Sequence, residues 1–237
     1  MIKKLQQLKA KKGFTLVELI VVIAIIGVLA AILVPTMMGF VTSSRVTSAN
    51  STAASFEDQI EQFLTDCDTK GFGMKSGNTS TAQITIEIDS TGWKTSLGSG
   101  DDGNFKSVNG ISWATAGTKM NGGANDTAIA NDKKPQNLLS IKLRELFPDI
   151  TQGVVIAWVK AGNVEALVYT ADVSAVGQSA TTTIGTVASA TYNNGVLSGT
   201  DVNWTTKTAK WDEKTAGISD VGLTVGTSPA LALGSTT

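Results

Sequence analysis

The hydrophobic positions divide the chain into an apolar N-terminal run, a one-sided helical segment and a long C-terminal part with strand-like patterns. Residues 14–35 contain a single charged residue, Glu18, and fifteen Leu, Ile, Val or Phe residues. A helix needs about 20 apolar residues to cross the hydrocarbon core of a bilayer. These side chains favour insertion by roughly 4–9 kcal/mol, whereas one acidic residue near the end of the run costs less than about 3 kcal/mol. The run is therefore predicted to span a membrane.

The apolar residues become one-sided after Pro35. They recur at alternating intervals of three and four, which is typical of one helical face: Val46, Ala49, Ala53, Phe56, Ile60, Phe63 and Cys67. The pattern predicts one helix from about Thr15 to about Asp68, roughly 80 Å long at 1.5 Å per residue. Its part over residues 36–70 is amphipathic and is expected to pack on a domain. Because Cys67 lies on the apolar face, we predict a buried structural thiol.

Residues 71–237 are predicted to form a β-rich head. Isoleucines alternate with polar residues over 84–88, which is typical of a half-buried strand, and 154–160 is apolar on both faces, as in a central strand. The remaining predicted elements are a turn at 161–163, a strand over 164–170, a hairpin around 193–195 and a short amphipathic helix over 137–147. The predicted fold class is α+β, with a long N-terminal helix packed on an antiparallel β-rich head.

The charge distribution predicts the direction of the span. All five charged residues among residues 1–13 are lysines, whereas Arg45 is the only basic residue between Pro35 and Lys70. The positive-inside rule therefore places the N-terminus in the cytoplasm and the head outside. A secretory signal peptide has a shorter apolar core followed by a small-residue cleavage site, and this sequence shows neither. A plain uncleaved anchor is the alternative for the apolar run taken alone.

Composition argues against an enzyme. The chain has no histidine, which removes imidazole bases and most hydrolase triads, and its single cysteine excludes an intramolecular disulfide and a multi-thiolate zinc site. Asp101, Asp102 and Asn104 lie in a glycine-rich loop and offer oxygen atoms of the kind that Ca²⁺ prefers. Their spacing matches no EF-hand loop, so a solvated loop is the favoured interpretation. We expect no cofactor and no bound metal.

A resemblance to a known family begins at residues 11–18, with the sequence Lys-Lys-Gly-Phe-Thr-Leu-Val-Glu. This junction resembles the type III signal of prepilins, the precursors of type IV pilins and related pseudopilins. The resemblance implies that a prepilin peptidase cuts after Gly13 on the cytoplasmic side and that Phe14 becomes N-methylated. It covers about the first 40 residues and says little about residues beyond about 70.

The resemblance also implies roles in assembly for Glu18, Gly27 and Pro35. Glu18 would pair with the N-terminal amine of a neighbouring subunit and set the axial register, and a carboxylate that snorkels to the membrane interface is the alternative. Gly27 and Pro35 bracket a segment that would lose helical order when the subunit leaves the membrane, and a simple kink is the alternative. In either case Pro35 is expected to bend the helix.

The predicted function is that of a structural subunit of a type IV pilus used in adhesion, motility or colonisation. Residues 1–13 form a leader that is removed, and residues 14–35 hold the subunit in the inner or cytoplasmic membrane until it enters an extracellular filament. The implied partners are prepilin peptidase, copies of this chain, other pilins and the pilus assembly platform. The alternatives are a minor pilin or tip adhesin, or a pseudopilin of a type II secretion or DNA-uptake system.

Two further expectations concern the head. Removal of five leader lysines changes the formal net charge from −1 to −6, so we expect no direct binding of nucleic acid. Pilins of this family commonly carry a disulfide near the C-terminus, which a chain with one cysteine lacks. In this respect the chain resembles pilins of Gram-positive bacteria, and its head is expected to hold together through β-pairing alone.

Overall fold

The computed structural model describes residues 14–78, 80–123, 126, 133–171, 191–193, 196–202, 208–211 and 225–228. The chain divides into two compact units, Met1–Ser43 and Ser44–Thr237. One helix, α1 (Leu16–Thr69), contributes to both units and has the bounds that the sequence predicts to within one residue. The predicted leader, including Gly13, lies outside the described residues.

In the first unit, α1 presents apolar side chains to its surroundings. The segment Leu16–Val34 has a mean hydropathy of 3.1 over 19 residues and is 0% buried, so it is long and apolar enough to cross a membrane. The backbone is helical through Gly27 and Pro35. The predicted loss of helical order between these two residues is therefore not present in this state, and for the assembled filament it stays a prediction.

In the second unit, α1 packs its apolar face into the core. Six of the seven residues predicted for this face are buried, and Ala49 is half-buried. Burial of each large side chain stabilises the fold by about 1.5–3 kcal/mol. The free thiol of Cys67 is buried, which confirms the predicted structural role. Burial also raises the pKa of this thiol to about 12, so at neutral pH the group is the unreactive thiol.

A Schellman motif ends α1. The amide of Phe72 donates to the carbonyl of Cys67 at 2.7 Å, and the amide of Gly71 donates to the carbonyl of Asp68 at 3.0 Å. Gly71 adopts a φ of 85°, a left-handed conformation that only glycine adopts without steric cost. The sequence Lys-Gly-Phe-Gly after the helix therefore turns the chain towards the sheet.

The helix packs on a five-stranded antiparallel sheet, which consists of β1 (Ala82–Asp89), β2 (Gly92–Leu97), β3 (Gly153–Lys160), β4 (Asn163–Thr170) and β8 (Val225–Ser228). The strand order in this sheet is β2-β1-β3-β4-β8. A separate three-stranded sheet contains β5 (Thr191–Asn193), β6 (Val196–Val202) and β7 (Thr208–Trp211). The strand over 84–88, the central position of β3, the β3–β4 hairpin and the pairing across residues 193–196 are all confirmed.

Aromatic residues fill the core between α1 and the sheet. The fully buried ring of Phe56 lies 4.3 Å from the ring of Phe147 and 5.4 Å from that of Tyr169, measured between centroids. Trp113 stacks on Phe105 at 4.6 Å, and its indole nitrogen donates to a backbone carbonyl. Three of the five tryptophans are buried, as predicted for core packing: Trp93, Trp113 and Trp158. Trp204 and the side chain of Trp211 lie outside the described part of the chain.

The short helix α2 (Pro135–Leu146) confirms the predicted helix over 137–147 and begins two residues earlier. Proline is favoured at its first position, where no amide donor is needed. On its inner face, the hydroxyl groups of Ser140 and Thr95 form a buried hydrogen bond of 2.8 Å, which joins α2 to β2. This side-chain pair satisfies two polar groups that burial would otherwise destabilise.

The loop before α2 is held by a buried carboxylate. Asp126 accepts hydrogen bonds from the amides of Asn121 and Gly122 at 3.0 and 2.8 Å, and its Oδ2 lies 2.5 Å from Nη1 of Arg144 in α2. Burial by itself raises the pKa of Asp126, but the two amides and the guanidinium outweigh this effect and hold the pKa below its ordinary value. The ionised form of Asp126 therefore stabilises the fold.

We expect Asp126→Asn to lower the free energy of unfolding by about 1–3 kcal/mol at pH 7, because it leaves Arg144 without its partner. A carboxyl group whose pKa is lower in the folded chain stabilises the fold above about pH 3.9 and loses this contribution as the pH falls through the folded pKa. The difference between wild type and variant should therefore shrink below pH 4. Urea unfolding at several pH values measures it, with Asp102→Asn as the control. If the difference in unfolding free energy between wild type and Asp126→Asn were the same at pH 7 and pH 2, the stabilising role of the ionised Asp126 would be contradicted.

Candidate assembly site

The N-terminus of α1 is a capping box. Thr15 is the N-cap, and its hydroxyl oxygen accepts a hydrogen bond of 3.2 Å from the amide of Glu18. In return, Oε2 of Glu18 accepts hydrogen bonds from the amide and the hydroxyl of Thr15, at 2.8 and 2.7 Å. This reciprocal arrangement satisfies amides that have no partner at a helix start. Phe14 and Leu19 occupy the two positions of a hydrophobic staple.

The capping box gives Glu18 a partner within its own chain. The sequence analysis predicts that this carboxylate pairs with an amine from another subunit or snorkels to the membrane interface, and neither prediction includes Thr15. The signal was present, because a Thr followed three residues later by Glu, directly before an apolar run, is the signature of a capping box. Among the described residues, Oε1 of Glu18 accepts no hydrogen bond. One oxygen therefore caps the helix while the other is available to a further donor.

The apolar surface after the capping box is exposed along its full length in the single chain. Phe14 is 80% exposed, and every residue from Phe14 to Val34 is exposed. Water contact with this much apolar surface is unfavourable by about 25 cal/mol per Å². The segment therefore requires lipid or other apolar helices around it.

Gly27 leaves open space on this surface. A β-carbon added at Gly27 meets nothing within 4 Å, so the single chain has no steric need for glycine at this position. Glycine lowers helix stability by about 1 kcal/mol relative to alanine. Small residues on apolar helices allow another helix to approach closely. The position is thus suited to contact with a second helix.

The C-terminal strand β8 is fixed to α1 within the second unit. Gly226 passes directly over the backbone of α1, where an added β-carbon would lie 2.2 Å from the carbonyl carbon and oxygen of Ala49. The amide of Thr227 donates to Oδ1 of Asn50 at 2.8 Å, and the hydroxyl of Ser228 donates to Glu57. On its other side, β8 pairs with β4 over four residues. These contacts hold the C-terminal strand in a chain that lacks a disulfide.

The loop considered for calcium is held by protein contacts. Oδ2 of Asp101 accepts a hydrogen bond of 2.7 Å from the amide of Gln83, and Oδ1 accepts one of 3.3 Å from Asn104. Over the described residues, no group of three or more His, Cys, Asp or Glu side chains is arranged to hold a metal ion. Asp101 therefore connects this loop to the start of β1.

Comparison with known proteins identifies the N-terminal segment. The sequence profile of the prokaryotic N-terminal methylation motif matches residues 8–34. The type IV major alpha-pilin of Moraxella bovis is 28% identical over 150 residues, which cover 57% of this chain and 87% of that pilin. The chain is similar to type IV pilins. The names of its relatives describe pilins and fimbrial proteins, in agreement with the composition, which argues against an enzyme.

Two further relatives match this chain over shorter segments. A fimbrial protein of Pseudomonas aeruginosa is 42% identical over 57 residues, 24% of this chain and 37% of that protein. A type IV major fimbrial protein of Dichelobacter nodosus is 43% identical over 56 residues, 24% of this chain and 36% of that protein. These two matches span little more than a third of the relatives' length. No solved structure matches the chain.

Proposed function

We propose that this pilin is processed after Gly13 and polymerises through its N-terminal helix into a surface filament. One observation carries the proposal: an exposed apolar helix starts with a capping box one residue after the proposed new N-terminus, Phe14. Cleavage at Gly13 would remove the charged leader and leave the helix with an ammonium group at its first turn. Burial of the exposed apolar surface against other subunits would then drive assembly.

The subunit is proposed to lie first in the membrane and then in the filament. Before assembly, the segment Leu16–Val34 spans the inner or cytoplasmic membrane, with the N-terminus inside and the head outside. After assembly, the same segment lies in the core of an extracellular pilus. The proposed partners are prepilin peptidase, the assembly platform, copies of this chain and other pilins. Glu18, Gly27 and Pro35 are the proposed assembly residues.

The capping box supports a specific role for Glu18. Its Oε2 is held by Thr15 within 2.8 Å, which fixes the carboxylate at the first turn of the helix. An ionised acid in apolar surroundings needs a cationic partner. The ammonium of Phe14 from a neighbouring subunit would supply this partner at Oε1 and would fix the axial register between subunits.

We expect the pilin in sheared filaments to begin at Phe14 and to carry an N-methyl group there. Replacement of Gly13 by valine should block cleavage, because the bulkier residue obstructs the approach of the peptidase to the backbone. N-terminal mass spectrometry of filament and membrane fractions measures both outcomes. Gly103→Ala, a change far along the chain at a glycine with open space around it, serves as the control. Filaments that contain chains beginning at Met1 would refute the processing site.

A minor pilin, a tip adhesin and a pseudopilin remain alternatives to the major subunit. The similarity to a major alpha-pilin over 87% of its length favours the major subunit. Electron microscopy with antibody labelling tests this choice, because a major subunit is distributed along the filament and an adhesin is confined to the tip. The relatives described above are pilins of Gram-negative bacteria, so the Gram-positive resemblance stays a prediction based on the missing disulfide alone.

A further inference from the structure

The second unit contains a polar cavity of about 490 Å³ that the proposed assembly does not use. It lies between the C-terminal turns of α1, the segment 73–78 and the turn that joins β3 to β4. Small-molecule sites in proteins commonly have volumes of about 300–1,000 Å³. The cavity is thus large enough for a small ligand.

The walls of the cavity are fixed by hydrogen bonds in the unliganded chain. The amide of Lys75 donates to the carbonyl of Asn104 at 2.8 Å, and the amide of Lys106 donates to the carbonyl of Gly73 at 2.9 Å. The side-chain amide of Asn78 donates to Oδ1 of Asn104 at 2.7 Å. A ligand would therefore meet a preorganised site, which reduces the entropic cost of binding.

The charge of the cavity favours an anion. Two lysines line it, Lys75 and Lys106, against a single carboxylate, Asp68. Nζ of Lys106 lies 3.3 Å from Oδ1 of Asp68, whereas Lys75 forms no ion pair with any described residue. This excess of positive charge occurs in a chain whose formal net charge is −1. One ammonium group is thus free to bind a carboxylate.

The remaining lining groups are suited to a polyhydroxylated ligand. Hydroxyl and amide side chains line all three walls: Thr65, Thr69, Ser76, Asn78 and Asn163. The hydroxyl groups of Thr65 and Thr69 already donate to backbone carbonyls of α1, so their oxygen atoms are acceptors for a ligand. None of the described residues that line the cavity is aromatic, so a flat apolar ligand finds no stacking surface. We propose that this cavity binds an acidic sugar, whose carboxylate pairs with Lys75 and whose hydroxyl groups bond to these neutral side chains.

The test compares a charged sugar with its neutral counterpart on the full chain in detergent micelles. Methyl β-glucuronide and methyl β-glucoside are titrated with detection by saturation-transfer NMR and calorimetry. We expect the glucuronide to bind at least about tenfold more tightly, because a charge-assisted hydrogen bond contributes more than a neutral one. Lys75→Gln should weaken glucuronide binding by about tenfold, whereas Lys134→Gln, an exposed lysine outside the cavity, should leave it unchanged.

A second variant separates binding in the cavity from binding elsewhere on the surface. Ser76→Trp places a large ring at the exposed rim and should abolish binding of the glucuronide, with an unchanged melting temperature showing that the head is folded. The proposal is overturned if the glucuronide does not bind at millimolar concentration, if both sugars bind equally, or if neither Lys75→Gln nor Ser76→Trp weakens binding.

Discussion

Glu18→Gln should reduce filament yield by more than about tenfold while the precursor is still cleaved. Glutamine at this position retains the acceptor that a capping box requires, so α1 keeps its first turn. The substitution removes the negative charge, and with it the proposed pairing to the ammonium of Phe14 on a neighbouring subunit. Loss of one partner from a buried charge pair commonly costs about 2–5 kcal/mol. A cost of about 1.4 kcal/mol already lowers an equilibrium constant tenfold. Sheared filament yield, normalised to processed pilin in the membrane, measures the effect.

Thr15→Val is the matched variant for this experiment. Valine keeps the β-branched shape but lacks the hydroxyl that bonds to Glu18, so the helix start loses about 0.5–2 kcal/mol while the carboxylate remains. We expect its filament yield to stay within about twofold of wild type. Wild-type yield from Glu18→Gln would show that the charge is dispensable. An equal loss in both variants would show that the helix cap, and not the charge, is the requirement.

Gly226→Val should lower the free energy of unfolding by about 2–4 kcal/mol. A side chain at this position would overlap the backbone of α1 at Ala49, so β8 has to move away from the helix. The move would break the hydrogen bond from Thr227 to Asn50 and the pairing of β8 with β4. For a chain of this size, each kcal/mol lowers the melting temperature by roughly 2–4 °C.

Hydrogen exchange gives this prediction a local readout. When β8 separates, the amides of β4 that face it over residues 167–170 should exchange faster, whereas those in β1 should change only with global stability. Gly103→Ala is the control, because a β-carbon at Gly103 meets nothing within 4 Å. A Gly226→Val chain with wild-type melting temperature and wild-type protection of β4 would contradict the close packing of β8 on α1.

Local sequence patterns were sufficient to predict the structure wherever the environment of a residue depends on its neighbours along the chain. The spacing of Phe56, Ile60 and Cys67 predicted the buried face of α1 because helical geometry converts that spacing into a face. The same holds for the alternation in β1 and for the turn between β3 and β4. The T-x-x-E signal at Thr15 is equally local. It predicts the capping box from the sequence alone, although the sequence analysis did not include it.

Contacts between distant segments required the tertiary structure. Gly226 and Asn50 are separated by 176 residues, and no periodicity indicates that a C-terminal strand lies against the helix. The same is true of Asp126 and Arg144, and of the cavity between α1, residues 73–78 and the β3–β4 turn. Each of these contacts, and the cavity, depends on which segments the fold brings within a few ångströms of each other.

The sequence alone therefore determined the membrane-compatible apolar helix and the change to a β-rich head, and it predicts a leader junction at Gly13 and Phe14. These features follow from hydropathy, charge and short motifs, which act over one or two helical turns. Only the tertiary structure decided that Glu18 caps its own helix with one oxygen, that β8 lies against α1 and pairs with β4, and that two lysines line one cavity. The physical reason is that hydrogen bonds and steric overlap act over about 3 Å, a distance that the order of residues does not specify.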